Sequence, residues 1–148
     1  MMILRPAAGR LVFWRAIVAA LLLLTLHAAP AAEPFPFDQE LLLDAAPMPP
    51  VKRLPILTVA PDGNAIIDLW CKTVRARVEI FEAAIKIEAG SLPEELPAMM
   101  SNGQCTPERM QADEEMLASI VQVREWRRDG DAILLMGPVT MKFRPATN

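Results

Sequence analysis

Residues 105–143 read CTPERMQADEEMLASIVQVREWRRDGDAILLMGPVTMKF, and this stretch decides the fold. Its first third predicts a helix over about Pro107 to Gln122. Thr106 can cap it, Pro107 suits the first helical position and Glu108 complements the positive end of the dipole. Met110, Met116, Leu117, Ile120 and Val121 recur at helical spacing. The remainder predicts three short antiparallel strands, Val123 to Arg127, Ala132 to Met136 and Val139 to Phe143, separated by the turns Asp129-Gly130 and Gly137-Pro138. Phe143 is expected to face inward with Val139 and Met141. The apolar faces of these elements need the preceding chain as partner.

That chain is strand-like. Leu54 to Ala60 and Ala65 to Trp70 flank the turn Pro61-Asp62-Gly63-Asn64. Thr73 to Phe81 alternates, with Val74, Ala76, Val78 and Ile80 on one face and Arg75, Arg77 and Glu79 on the other, which is the pattern of a strand with one wet face. Ala84 to Glu88 repeats it, Ile85 and Ile87 inward. Six prolines between Glu33 and Pro55 forbid a long helix there, so residues 32–53 read as an extended lead-in, within which Glu40 to Asp44 can form a short edge strand. Between Ala89 and Gln104 the periodicity stops. Gly90, Pro93, Pro97 and Gly103 punctuate a long loop that carries Leu92, Leu96, Met99 and Met100, a candidate contact surface or a lid over the sheet. The whole is expected to be an α+β domain over 54–148, a curled antiparallel sheet or small barrel closed by one helix.

Of the 148 residues 53% are hydrophobic and 22% charged, which suits one globular domain. Arg5, Arg10 and Arg15 precede an apolar run, Ala16 to Leu26, that ends in Ala29-Pro30-Ala31, the order of features in a secretory signal. Cleavage after Ala31 is expected, with export to the periplasm or beyond and no stable membrane insertion afterwards; a retained anchor is the alternative. Without residues 1–31 the chain keeps 12 basic and 18 acidic side chains, a net charge of −6. That sign argues against nucleic acid and anionic membrane surfaces, both of which need clustered positive charge.

The chemistry of turnover is poorly represented. His27 is the one histidine and lies in the leader, so a mature chain has neither a histidine-based nucleophile activator nor the commonest zinc ligand, and tyrosine is absent throughout. No phosphate-binding or nucleotide motif is present. Glu94-Glu95 and Asp113-Glu114-Glu115 read as solvated faces, because neighbouring helical positions do not face each other. No catalytic residue, metal ligand or cofactor is expected. Cys71 and Cys105 are the only cysteines, and in an exported chain they read as a structural disulfide; free thiols or a redox pair are the alternatives, the latter disfavoured by the wide spacing. Trp70, beside Cys71, and Trp126 are large anchors for core packing or for a ligand.

Several of these positions resemble the META (HslJ-like) domain family. The resemblance covers about Leu54 to Phe143 and rests on the strand and turn Ile56 to Gly63, Leu69-Trp70-Cys71, Gln104-Cys105, and the tail Glu114, Met116-Leu117, Ile120, Val123, Trp126, Gly130-Asp131, Ile133, Leu135, Met141, Phe143. Where the family usually has Gly-Cys-Asn, this chain has Trp70-Cys71-Lys72. The resemblance implies a barrel-like antiparallel sheet with one helix in an envelope protein without catalytic residues, loosely linked to stress tolerance. The expected function is therefore structural or binding, with an envelope protein as partner. The alternative is a carrier or chaperone for an apolar ligand or peptide, with Trp70, Leu92, Leu96, Met99 and Met100 as the contact residues.

Overall fold

The computed structural model describes residues 33–95 and 103–146. Among them eight strands and one helix follow in the order β1 (Leu41–Leu43), β2 (Ile56–Val59), β3 (Asn64–Asp68), β4 (Thr73–Phe81), β5 (Ala84–Ala89), α1 (Pro107–Ile120), β6 (Glu125–Asp129), β7 (Ala132–Met136) and β8 (Met141–Pro145). Each strand pairs antiparallel with the next, and β1 also pairs with β8, so the sheet is a closed barrel rather than an open curled sheet. The helix is an addition to this β architecture, so an evenly mixed α+β description fits only loosely.

Closure depends on the proline-rich lead-in. Leu41 faces Leu57 on one side and Pro145 on the other, and Leu43 faces Phe143, so β1 joins two strands instead of forming an edge. Prolines at 47, 49, 50 and 55 fall outside the strand, where no ladder N–H is needed. Between β2 and β3 the turn is made at Gly63, whose φ is +84° and whose Cβ, if present, would lie 2.6 Å from Val78 O; only glycine fits there.

The barrel is packed solid. Leu41, Leu57, Val59, Ile67, Leu69, Ile133, Leu135 and Phe143 are fully buried, in keeping with an eight-stranded interior just wide enough for side chains. Burial of each stabilises the fold by about 1.5–3 kcal/mol. On β4 and β5 the expected alternation holds: Val74, Val78, Ile85 and Ile87 are buried and Arg75, Arg77, Lys86 and Glu88 are exposed. The helix covers the end of the barrel at which β3 and β5 finish. At the far end, Phe35 packs edge-on against Trp126, with ring centroids 5.2 Å apart, and Asp38 N–H donates to Val59 C=O at 2.8 Å.

Several boundaries differ from those expected, β3 among them, which ends at Asp68 rather than Trp70. The helix stops at Ile120, because Gln122 N–H bonds Ser119 C=O and Val123 N–H bonds Ile120 C=O in a tightened last turn. Val123 then drops fully into the core, which delays β6 to Glu125. Val139 is 55% exposed and precedes β8, so Phe143 and Met141 face inward without it.

Between β5 and β6 the barrel has a short seam. Only Ala84 and Glu125 are paired there, flanked by Ile85 N–H to Arg124 C=O at 3.0 Å and Trp126 N–H to Ala83 C=O at 2.8 Å. The Trp126 indole N–H adds a third bond, 2.7 Å to Glu82 C=O, pinning the β4–β5 hairpin to β6.

Candidate functional site

The covered end of the barrel holds a dense polar construction. Leaving β3 at Asp68, the chain turns tightly, with Leu69 N–H bonded to Lys72 C=O at 2.8 Å, before β4 begins. Three successive amides, of Trp70, Cys71 and Lys72, emerge on one side of this turn. They converge on the Asp113 carboxylate: Trp70 N–H reaches Oδ1 at 2.8 Å, Lys72 N–H reaches Oδ2 at 3.0 Å, and Cys71 N–H lies 3.2 Å from both oxygens.

Asp113 is delivered by α1. Thr106 caps the helix by accepting from Arg109 N–H, and Pro107 occupies the first turn. One helical turn before Asp113, Arg109 donates from Nη2 to Trp70 C=O at 2.7 Å and from Nη1 to Gln104 C=O at 2.8 Å. Arg109 and Asp113 are both fully buried. Cys71 and Cys105 are joined in a disulfide with Cα atoms 5.7 Å apart, so the covalent link and the Arg109–Asp113 pair connect the same two pieces of chain. Lys72 Nζ donates to Pro93 C=O and Gly90 N–H to Arg75 C=O, which bring the start of the connection between β5 and α1 to the same stretch that holds its end.

Burial pushes the Asp113 carboxyl above its ordinary value, while the amides of Cys71, Lys72 and Trp70 and the charge of Lys72 pull it back. For Arg109 burial lowers the pKa, Asp113 opposes that shift, and Arg53 adds to it. Removal of Asp113 would leave three buried amides without their acceptor, and removal of Arg109 would leave the Trp70 and Gln104 carbonyls without their donor.

This geometry corrects the reading of Asp113-Glu114-Glu115 as a solvated face. Glu114 and Glu115 are exposed, but Asp113 is not. A signal for this existed: the buried stripe Ile120 and Met116, continued by three and then four residues, lands on Asp113 and Arg109. Asp113 is fully buried and accepts from three amides, so its carboxylate is turned to the chain's own backbone rather than to solvent. Of the residues singled out in the sequence, Trp70 is buried at 8% exposure and belongs to the core cluster, and Leu92 is half-buried against that cluster. Leu96, Met99 and Met100 lie outside the described residues. Cys71, at 1% exposure, is shielded from solvent.

Comparison with known proteins adds no relative. No family model, no curated protein and no solved structure matches this chain. Among the described residues there is no group of three or more His, Cys, Asp or Glu side chains placed to hold a metal ion, and no helix is long and apolar enough to cross a membrane. The site holds the turn at 70–72, the start of α1 and both ends of the connection between β5 and α1 against one another.

Proposed function

We propose that this is an exported, non-catalytic envelope domain of META type that works by binding a protein partner, with the connection between β5 and α1 as its contact surface. The observation that carries this reading is the anchoring of both ends of that connection on residues 70–75, by the Cys71–Cys105 disulfide and Arg109 at one end and by Lys72 and Arg75 C=O at the other. A loop whose ends are fastened together on a rigid scaffold is a common way to present a recognition surface. Leu92, half-buried against the core at the described margin of this connection, keeps part of its surface for such a partner.

The disulfide supports export, since such bonds persist in oxidising compartments. The filled barrel interior favours partner binding over carriage of an apolar ligand, because side chains occupy the volume such a ligand would need. The likeness of the tail residues to META domains supports an envelope role.

The test is site-specific photo-crosslinking in a Gram-negative envelope, with the photoreactive residue at position 92 or, as control, at the exposed Glu114. The expected result is a discrete protein adduct from position 92 only, in a chain found outside the cytoplasm with no free thiols. Saturable uptake of an apolar dye, or bound lipid in a native mass spectrum, would replace this reading with that of a carrier. Cytoplasmic residence with two free thiols would overturn it.

A further inference from the structure

We infer that the outer face of β4 and its two neighbours binds the same face of a second copy, with Phe81 of each copy seated beside Ile66 and Arg75 of the other. Arg75, Arg77, Glu79 and Phe81 point outward along β4 and are exposed. Among the described residues Phe81 is the most exposed large hydrophobic side chain, at 77%. Ile66, 49% exposed, lies on the same face beside Arg75, its register partner. Phe81 is held out by its own hairpin, which turns at Glu82, φ +53°, whose C=O accepts the Trp126 indole N–H at 2.7 Å. Towards the other end of β4, Thr58, Ala60, Asn64, Ile66 and Arg75 line an open depression of about 480 Å³, which a phenyl ring can enter. An exposed aromatic and a recess on one face are the two halves of a self-complementary contact.

The charges between these two ends select the occupant. Along β4 the arginines stand nearer the recess and Glu79 nearer Phe81, while on β5 Glu88 lies opposite Arg77 and Lys86 opposite Glu79. A two-fold axis crossing the strands at Val78 lays β4 antiparallel on the second copy's β4, and β5 on its β5, face to face. Arg77 then meets the second copy's Glu79, and Lys86 meets its Glu88. Arg75 meets its Phe81, a guanidinium against a ring face. Moving the axis to Arg77 would set Arg77 on Arg77 and Glu88 on Glu88; moving it to Glu79 would set Glu79 on Glu79 and Lys86 on Lys86. Both registers bring like charges together, so the pattern favours the one at Val78. The contact consists of exposed ion pairs and one ring from each side, so the dimer is weak and concentration-dependent.

Sedimentation equilibrium on the full chain, expressed with its leader and recovered from the envelope fraction, tests this. Dimer that builds up with concentration is expected, weakened about tenfold or more by Phe81→Ala, which deletes both rings from the contact. Arg77→Glu and Glu79→Arg should each be monomeric alone, because each sets like charges against one another on both sides of the axis. Mixed in equal amounts the two variants should dimerise, since every opposition in the mixed pair is again between unlike charges. All three positions are exposed, so far-ultraviolet circular dichroism and the melting temperature should stay near wild type. Monomer at every concentration overturns the inference. So does a dimer indifferent to Phe81→Ala, or a mixture of the folded charge variants that stays monomeric. Should either charge variant fail to fold, Phe81→Ala decides alone.

Discussion

Replacing Asp113 with alanine should be among the most damaging single changes in this domain. The substitution leaves three amides, of Trp70, Cys71 and Lys72, without their acceptor in a buried turn, and each unsatisfied donor costs about 1–3 kcal/mol. It also strips Arg109 of the opposite charge beside it. Relief of the carboxylate's own desolvation offsets part of this, so the expected net loss is about 3–5 kcal/mol. For a domain of this size that is a fall of roughly 12–20 °C in Tm. Urea unfolding of Asp113→Ala, with Glu114→Ala as the exposed neighbour, measures it; Glu114→Ala should stay within about 0.5 kcal/mol of wild type. Because the disulfide joins the same two pieces of chain, the loss should be larger in reductant than without it, a coupling that a cycle with and without reductant resolves. Equal midpoints for the two variants, or an Asp113→Ala loss under about 1 kcal/mol, would refute the idea that this carboxylate holds the turn.

Other outcomes follow from the same geometry. Phe143→Ala should lose about 3–5 kcal/mol by opening the barrel core, whereas Lys142→Ala, whose 3.6 Å ion pair with Asp129 is solvent-exposed, should barely shift the denaturant midpoint. Reduction of Cys71–Cys105, which are 34 residues apart, should lower the unfolding free energy by about 2–4 kcal/mol and leave the circular dichroism spectrum native, because Arg109 and Asp113 still dock the helix; collapse of the spectrum would contradict that. Trp126→Phe keeps the ring but removes the indole N–H on Glu82 C=O, so hydrogen exchange of the Ile85 and Trp126 amides should quicken ahead of the β2–β3 amides, at a stability loss of about 1–2 kcal/mol. The Asn64 N–H on its carboxylate holds the Asp62 pKa below the usual range. Its contribution to the β2–β3 turn is therefore present above the unfolded value of about 3.9 and lost as pH falls through the lower folded value. An acid titration of the Asn64 amide shift should show that loss and should be flat in Asp62→Ala.

Local chemistry determined most of the elements. The alternation from Thr73 to Phe81 specifies a strand with one wet face whatever it pairs with, since successive side chains must point to opposite sides. Thr106 and Pro107 set the helix start, because the cap and the first turn are satisfied by their own neighbours. The Pro61–Asn64 turn was legible for the same reason: Gly63 must adopt a positive φ within four residues of chain. The two cysteines, the only ones in the chain, were enough to suggest their bond once export was expected.

Only the tertiary structure decided closure and the polar site. That Leu41–Leu43 joins β2 to β8 is a statement about strand partners 14 or more residues away, and three leucines in a proline-rich stretch carry no register. The seam at Ala84 and Glu125 is equally non-local, because it depends on where Val123 enters the core. Asp113 shows the limit most clearly. By its letters it belongs with Glu114 and Glu115 in water, and an unpaired carboxylate would stay there. It is buried because the turn after β3 brings three amides to it from some forty residues earlier in the chain, and that meeting exists only once the barrel has closed.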